Sequence, residues 1–219
     1  DIEAAIKPDD AHFAHTRLLA LENTWGGQVL PMAYVEAATS LAKRRGLARH
    51  LDGARLFNAA VASGVPARQI AQHFDSVSVC FSKGLGTPAG SALCGSRDLI
   101  ARAHRWRKMA GGGMRQAGVL AAAALYALDH HVERLAEDHA NARYLAEGLQ
   151  GLPGVSVATP QSNIVFVDLA ADKPADTVAR LRERGVLATG LYKLRLVTHL
   201  DVGRSDIERA VAILRDVLG

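Results

Sequence analysis

Residues 75–91 read DSVSVCFSKGLGTPAGS, and the break inside this stretch decides the fold. Its first half, Val77-Ser78-Val79-Cys80-Phe81, is a short β-branched run of the kind that forms a buried strand. It stops at Ser82-Lys83 and falls into Gly84-Leu85-Gly86-Thr87-Pro88, which can neither continue a strand nor start an ordinary helix. Lys83 is therefore expected at the carboxyl end of a strand, at the mouth of a Gly-rich turn. Open α/β sheets bind ligands outside the carboxyl ends of their strands. An amine there, partly stripped of water, loses its proton more easily than an exposed one and is a candidate Schiff-base nucleophile. The plain alternative is a solvated lysine at a strand end.

Upstream, His50-Leu51-Asp52-Gly53-Ala54-Arg55 places Asp52 at a second strand end, just before a glycine. Between Asp52 and Lys83 lie two helical pieces, 54–63 and 66–73, separated at Gly64. They are long enough for a crossover between parallel strands. A carboxylate and an amine are thus expected on one rim of one sheet. Pyridoxal phosphate (PLP) requires this pair: an amine to hold its aldehyde and a carboxylate to keep its pyridine nitrogen protonated. Read alone, an Asp before Gly is a common turn residue.

Further out, residues 1–10 read as a helix or linker, and 16–21 as a strand that follows His12 and His15. Trp25-Gly26-Gly27 reads as a turn, and residues 29–46 as an amphipathic helix after Pro31, with Lys43, Arg44 and Arg45 suiting its carboxyl end. His12 is either a solvated loop residue or a base beside a core strand. Downstream, 93–95 is a strand and Ser96 caps a basic helix. Gly111-Gly112-Gly113 and Arg115 offer backbone donors and a guanidinium to an anion, or simply a flexible turn. Residues 117–128 form an Ala-rich helix, apolar nearly all round and hence expected to be buried. Residues 130–150 form a long helix with Asp138 among its solvated charges and His130, His131 and His139 at its surface. Strands at 155–158, 163–168, 186–189 and 193–198, with helices at 175–184 and 205–218, complete a small α+β unit. The expected division is 1–147 and 148–219. Arg195 is either the polar side of an edge strand or a guanidinium fork for a carboxylate, and His199 is read as structural.

Composition narrows the classes. The chain has 219 residues, 49% hydrophobic and 22% charged, with a net charge of +4. Aromatics are only 5%, few stacking platforms for single strands, so no nucleic-acid partner is expected. No stretch approaches the ~18 apolar residues of a membrane helix. Cys80 and Cys94 are expected as buried reduced thiols of a cytoplasmic protein, and no cluster has the form of a metal site.

Four motifs carry a family resemblance: HLDGARLFNA (50–59), SVSVCFSKGLGTPAGS (76–91), RKMAGGGMRQAGVLAAA (107–123) and LRLVTHLDV (194–202). In this order they resemble the low-specificity L-threonine aldolases, PLP enzymes of the aspartate-aminotransferase fold type, over about residues 6–219. The resemblance implies an α/β PLP fold-type-I large-domain core, a mostly parallel sheet with helices, followed by a small α+β C-terminal domain. It implies reversible cleavage of threonine or allo-threonine to glycine and acetaldehyde. Lys83 would carry the cofactor, Asp52 would hold the ring proton, and Arg195 and Arg55 would fix the substrate carboxylate, with Arg55 also near the cofactor. Arg115 falls close to the cofactor, and His12 near the substrate hydroxyl, whose proton it would take. Trp25 departs from the family, which commonly has histidine there. Family members carry roughly a hundred residues more before this start, including a Gly-Thr phosphate turn and a ring-stacking histidine. A longer chain and a homo-oligomer, dimer or tetramer, with sites near subunit contacts are therefore expected. The alternatives are another fold-type-I lyase, cleaving phenylserine or performing β-elimination, and a non-catalytic truncated homologue serving as an interaction module.

Overall fold

The computed structural model describes residues 1–170, 176–190 and 193–219. After a short helix α1 (Ile2–Ala5), strand β1 (Leu18–Glu22) leads through α2 (Met32–Arg44) to β2 (Ala48–Gly53). Helices α3 (Leu56–Ser63) and α4 (Ala67–Ala71) then lead to β3 (Ser76–Cys80), and a Gly-rich turn leads to β4 (Ser91–Gly95). These strands form one sheet in the order β1-β2-β3-β4. The first three run parallel, with Glu22 opposite Asp52 and Asp52 opposite Ser78, and β4 returns antiparallel with Cys94 opposite Val77. Parallel pairing needs crossovers, and α2 and the α3–α4 pair supply them. In consequence Glu22, Asp52 and the segment after Cys80 all emerge on one rim.

Periodicity explains why these crossovers dock. In α2 the buried residues are Val35, Ala38, Thr39 and Ala42, one stripe of a 3.6-residue helix. The first core joins Leu51, Val77 and Val79 of the sheet to Leu56 and Ala59 of α3 and Ile70 of α4. Burial of each such Leu, Ile or Val side chain contributes about 1.5–3 kcal/mol.

Helices α5 (Arg97–Met109), α6 (Gly118–His130) and α7 (Leu135–Gly148) follow. A second sheet, antiparallel throughout, has the order β5-β6-β7: β5 (Val155–Val157), β6 (Ile164–Leu169) and β7 (Lys193–Val197). Helices α8 (Thr177–Glu183) and α9 (Arg204–Leu218) cover it. The helix expected over 175–184 begins at Ala175, outside the described residues. This second core joins Val165, Val167, Leu194 and Leu196 to Leu181 of α8 and Leu214 of α9. Helix α7 adds Ala142, Leu145 and Ala146, and Leu149 just after it. At Gly148 a Cβ would meet Val211 at 2.7 Å, so a glycine lets α7 and α9 approach.

Several expectations are corrected. Helix α6 buries only Ala124 and Ala127, while Val119, Leu125 and Tyr126 stand at 60% exposure or more. An all-round apolar surface signals a buried helix, but within this chain only one side of α6 finds partners. His139 and Asp138 are buried at 3% and 0%, not solvated, because α7 lies between the two cores. The thiols are free, with Cys80 half-buried and Cys94 exposed on the edge strand β4. In place of a strand at 186–189 there is a single bridge, Thr189 to Arg195.

Candidate active site

The turn after β3 is closed at its neck, where Phe81 N–H donates to Gly90 O at 3.0 Å and Thr87 N–H to Phe81 O at 3.2 Å. Inside it, Gly86 N–H donates to Lys83 O at 2.8 Å. From below, Leu85 sinks into a small core with Ala127 and Leu135, and the His131 Nδ1 lies 2.7 Å from Leu85 O. Lys83 is thus an exposed side chain on a fixed backbone. At Gly84 an added Cβ would meet Asn58 Oδ1 and Leu135 Cδ2, each at 2.9 Å, so the turn beside Lys83 seats directly against α3 and the start of α7.

A cavity of about 400 Å³ opens above this turn, lined by Lys83, Arg55, Arg195, Asn163, His199 and Asp201 among others. Each arrives for a local reason. Arg55 is the residue just before α3, one turn past the end of β2. Arg195 sits on β7, where Leu194 and Leu196 point into the second core, so the alternation of a strand turns Arg195 and Val197 the other way. Asn163 stands at the entrance to β6 and is 1% exposed.

Electrostatically the cavity is cationic. Burial, and then the like charge of Arg195, lower the pKa of Arg55, while Glu22, Cys80 and Asp52 oppose the shift. The Arg55 Nε is buried and has no hydrogen-bond partner among the described residues. An orphaned guanidinium donor is costly and suits a ligand that brings an oxygen anion. Asp52 is exposed at the end of β2, its Oδ1 accepting from Ala54 N–H at 3.1 Å. A larger cavity of about 670 Å³ lies against α9, with Leu145, Ile207 and Leu214 in its walls. It holds no lysine, and its Arg184 and Arg209 are paired with Asp216 and Asp206, so the chemistry points to the smaller one.

Of the residues singled out in the sequence, Lys83, Arg55 and Arg195 converge on this cavity, and Asp52 lies on the same sheet rim. His12 is exposed, its Nδ1 2.7 Å from Asp10 Oδ1, and does not line the cavity. Arg115 is likewise exposed and outside the lining. The N–H groups of Gly111 and Gly112 donate to Lys108 O and Arg107 O, closing the end of α5. His199, read as structural, lines the cavity with its Nδ1 3.5 Å from Asp201. Glu22 was missed altogether, although its place at the end of the strand before Asn23-Thr24-Trp25 is the same signal that marked Asp52. Asn163 carried no sequence signal.

The profile of the beta-eliminating lyase family matches residues 1–172. The low specificity L-threonine aldolase of Escherichia coli (strain K12) is 50% identical over 213 residues, covering 97% of this chain and 64% of that protein. The low-specificity L-threonine aldolase 1 of Arabidopsis thaliana is 42% identical over 230 residues, covering 99% and 64%. The chain therefore spans about two-thirds or slightly less of the length of these relatives. The solved threonine aldolase of Leishmania major superposes with a TM-score of 0.83 at 24% identity, covering 100% of this chain and 66% of that one. The last likeness establishes the shared fold.

Proposed function

The chain belongs to the beta-eliminating lyase family, and on that premise we propose that it is the greater part of a PLP-dependent lyase that cleaves L-threonine or L-allo-threonine to glycine and acetaldehyde. The observation that carries this reading is the convergence of one lysine and two arginines on a single cavity at the carboxyl rim of a mostly parallel sheet. Similarity to named threonine aldolases supports it.

The residues fit the cofactor. Lys83 offers an exposed amine on a rigid turn, Asp52 a carboxylate on the same rim, and Arg55 a buried unpaired donor facing an anion-seeking cavity. Lys83 would hold the aldehyde carbon and Asp52 a proton on the pyridine nitrogen; Arg115 is a further candidate for the cofactor's surroundings. When bound, PLP supplies an electron sink for the carbon–carbon bond that breaks. Arg195 and Arg55 would grip the substrate carboxylate, fixing which bond of the α-carbon faces the ring. A histidine would take the proton of the β-hydroxyl group. His12 is the choice made from the sequence and His199 the histidine that lines the cavity. The pair His12→Ala and His199→Ala decides between them.

We also propose that residues 1–147 belong to the cofactor-binding large domain and 148–219 form a small C-terminal α+β domain, and that the working unit is a cytoplasmic homo-oligomer. Exposed Trp106, Met109, Met114, Val119, Leu125 and Tyr126 on and between α5 and α6 support a subunit contact. No helix among the described residues is long and apolar enough to cross a membrane.

The test is reductive trapping. Borohydride added to the cofactor-loaded full-length protein should attach the cofactor to Lys83, read by peptide mass mapping; attachment at Lys108 instead would remove the assignment. The family's description favours β-elimination as the second reading. Glycine with acetaldehyde among the products of threonine supports the aldolase, and 2-oxobutanoate with ammonia supports elimination.

A further inference from the structure

Behind the cavity lies a cluster of buried polar side chains that the reaction does not use. Asn58 of α3 is 2% exposed, and its Nδ2 lies 3.1 Å from His139 Nε2 and donates to Asn163 Oδ1 at 3.3 Å. Asn163 Nδ2 donates to Thr198 O at 2.9 Å. Thr198 N–H returns a bond to Asn163 O at 3.0 Å, and Thr198 Oγ1 donates to Asp138 O at 2.7 Å. The chain of bonds thus runs from α3 to α7, β6 and the end of β7.

We propose that Asn58, His139 and Asn163 are positioning residues, a polar seam between the two sheets that sets the distance of Arg195 from Arg55 and Lys83. Every cation of the cavity is tied to this seam. Arg55 sits one helical turn before Asn58. Lys83 precedes Gly84, where an added Cβ would meet Asn58 Oδ1 at 2.9 Å, so the turn lies close to the Asn58 carboxamide. Arg195 stands three residues before Thr198 on the same continuous strand end. An apolar contact in this place could slide, because dispersion has no direction. A carboxamide that must satisfy a ring nitrogen and a second carboxamide together has one arrangement. The geometry also assigns the imidazole's protonation. With Asn58 Nδ2 as donor, His139 Nε2 must be the bare nitrogen, and the ring must be neutral with its proton on Nδ1. The seam's partners are distant in sequence, so it forms only when both sheets are docked.

The kinetic part of the test rests on the proposed lyase reading, and the distance part does not. In the cofactor-loaded full-length protein with its native cysteines replaced by serine, spin labels are placed at Gln69→Cys on α4 and Glu208→Cys on α9, both exposed. Pulsed dipolar spectroscopy should give one narrow distance. His139→Leu should broaden it with the far-ultraviolet circular dichroism unchanged, and His139→Gln, which keeps an acceptor, should restore it. In the unlabelled protein His139→Leu should raise KM for threonine by about 10-fold or more while kcat falls less than about threefold, the pattern of lost uniform binding. His139→Gln should recover most of that loss. If His139→Leu fails to fold, Asn58→Ser, which removes the donor of the same hydrogen bond, carries the same readings. A narrow, unshifted distance together with unchanged KM in a folded variant overturns the proposal. A wild-type protein that cleaves no threonine overturns the lyase reading and leaves the distance measurement to judge the seam.

Discussion

Acid should weaken this protein through His139, by an amount that the structure lets one work out. The imidazole, on α7, is 3% exposed, and Arg143, one turn along the helix, is the charge that acts on it. Its hydrogen-bond partner is the neutral Asn58, which in turn donates to Asn163. Burial first, and then the Arg143 charge, push its pKa down to about 4 from an ordinary 6.5. The unfolded chain therefore binds this proton below about pH 6.5, and the folded chain only below about pH 4. Stability is fully present above that window and is lost as pH falls through it. Linkage gives a loss of about 2 kcal/mol at pH 5 and about 3 kcal/mol at pH 4 from this one group. For a domain of this size 2 kcal/mol corresponds to a fall in Tm of about 4–8 °C. The perturbation is His139→Gln, which removes the titration but keeps an acceptor. Thermal unfolding followed by circular dichroism at pH 8 and pH 5 checks it. The variant should start lower at pH 8 and then lose about 4–8 °C less than the parent on acidification. Parallel pH profiles for the two proteins would refute the argument, since they would mean that the imidazole titrates alike in the folded and unfolded chains.

Other expectations are more direct. Asp52→Ala should lower kcat by at least about 100-fold in the loaded enzyme, the low end for one preorganised charge, and near-normal turnover would remove its role. Arg195→Lys keeps the charge but loses the fork; it should weaken glycine and threonine binding and leave cofactor content intact, whereas unchanged saturation curves would place the carboxylate elsewhere. Arg134 forms a two-pronged bridge to Asp138, at 3.2 and 2.6 Å, and that carboxylate is 0% exposed. Arg134→Ala should therefore cost about 3 kcal/mol in urea unfolding, and a loss below about 1 kcal/mol, the worth of a surface pair, would contradict it.

What the sequence made legible was whatever depended on neighbours along the chain. The strand-to-turn break at Ser82-Lys83, the strand end at Asp52 and the alternation of Leu194, Arg195 and Leu196 are local patterns, and each stands where it was expected. The likeness to threonine aldolases then supplied roles that no pattern could. His139 was misplaced because its burial comes from packing against distant parts of the chain, among them Asn58, its hydrogen-bond partner 81 residues away. Helix α6 was misplaced for the converse reason: an apolar surface announces that it wants a partner without saying which. His12 and Arg115 lie outside the cavity lining, so the case for them rests on the resemblance. Trp25 stands 67% exposed in the turn closed by its bridge to Gln28.

Arg55 and Arg195 face one cavity, one from the start of α3 and the other from β7, and the Arg195 charge makes that of Arg55 harder to keep. The groove is in this sense a loaded spring. Its own electrostatics press the two halves of the molecule apart, and the buried hydrogen bonds behind it hold them together. An oxygen anion entering between the guanidiniums reverses the sign of that force, so occupancy should tighten the whole molecule as well as the groove. A ligand at one hundred times its dissociation constant would add about 2.7 kcal/mol to the docked state alone. Simple anions such as sulfate should reproduce part of this tightening in the absence of any amino acid.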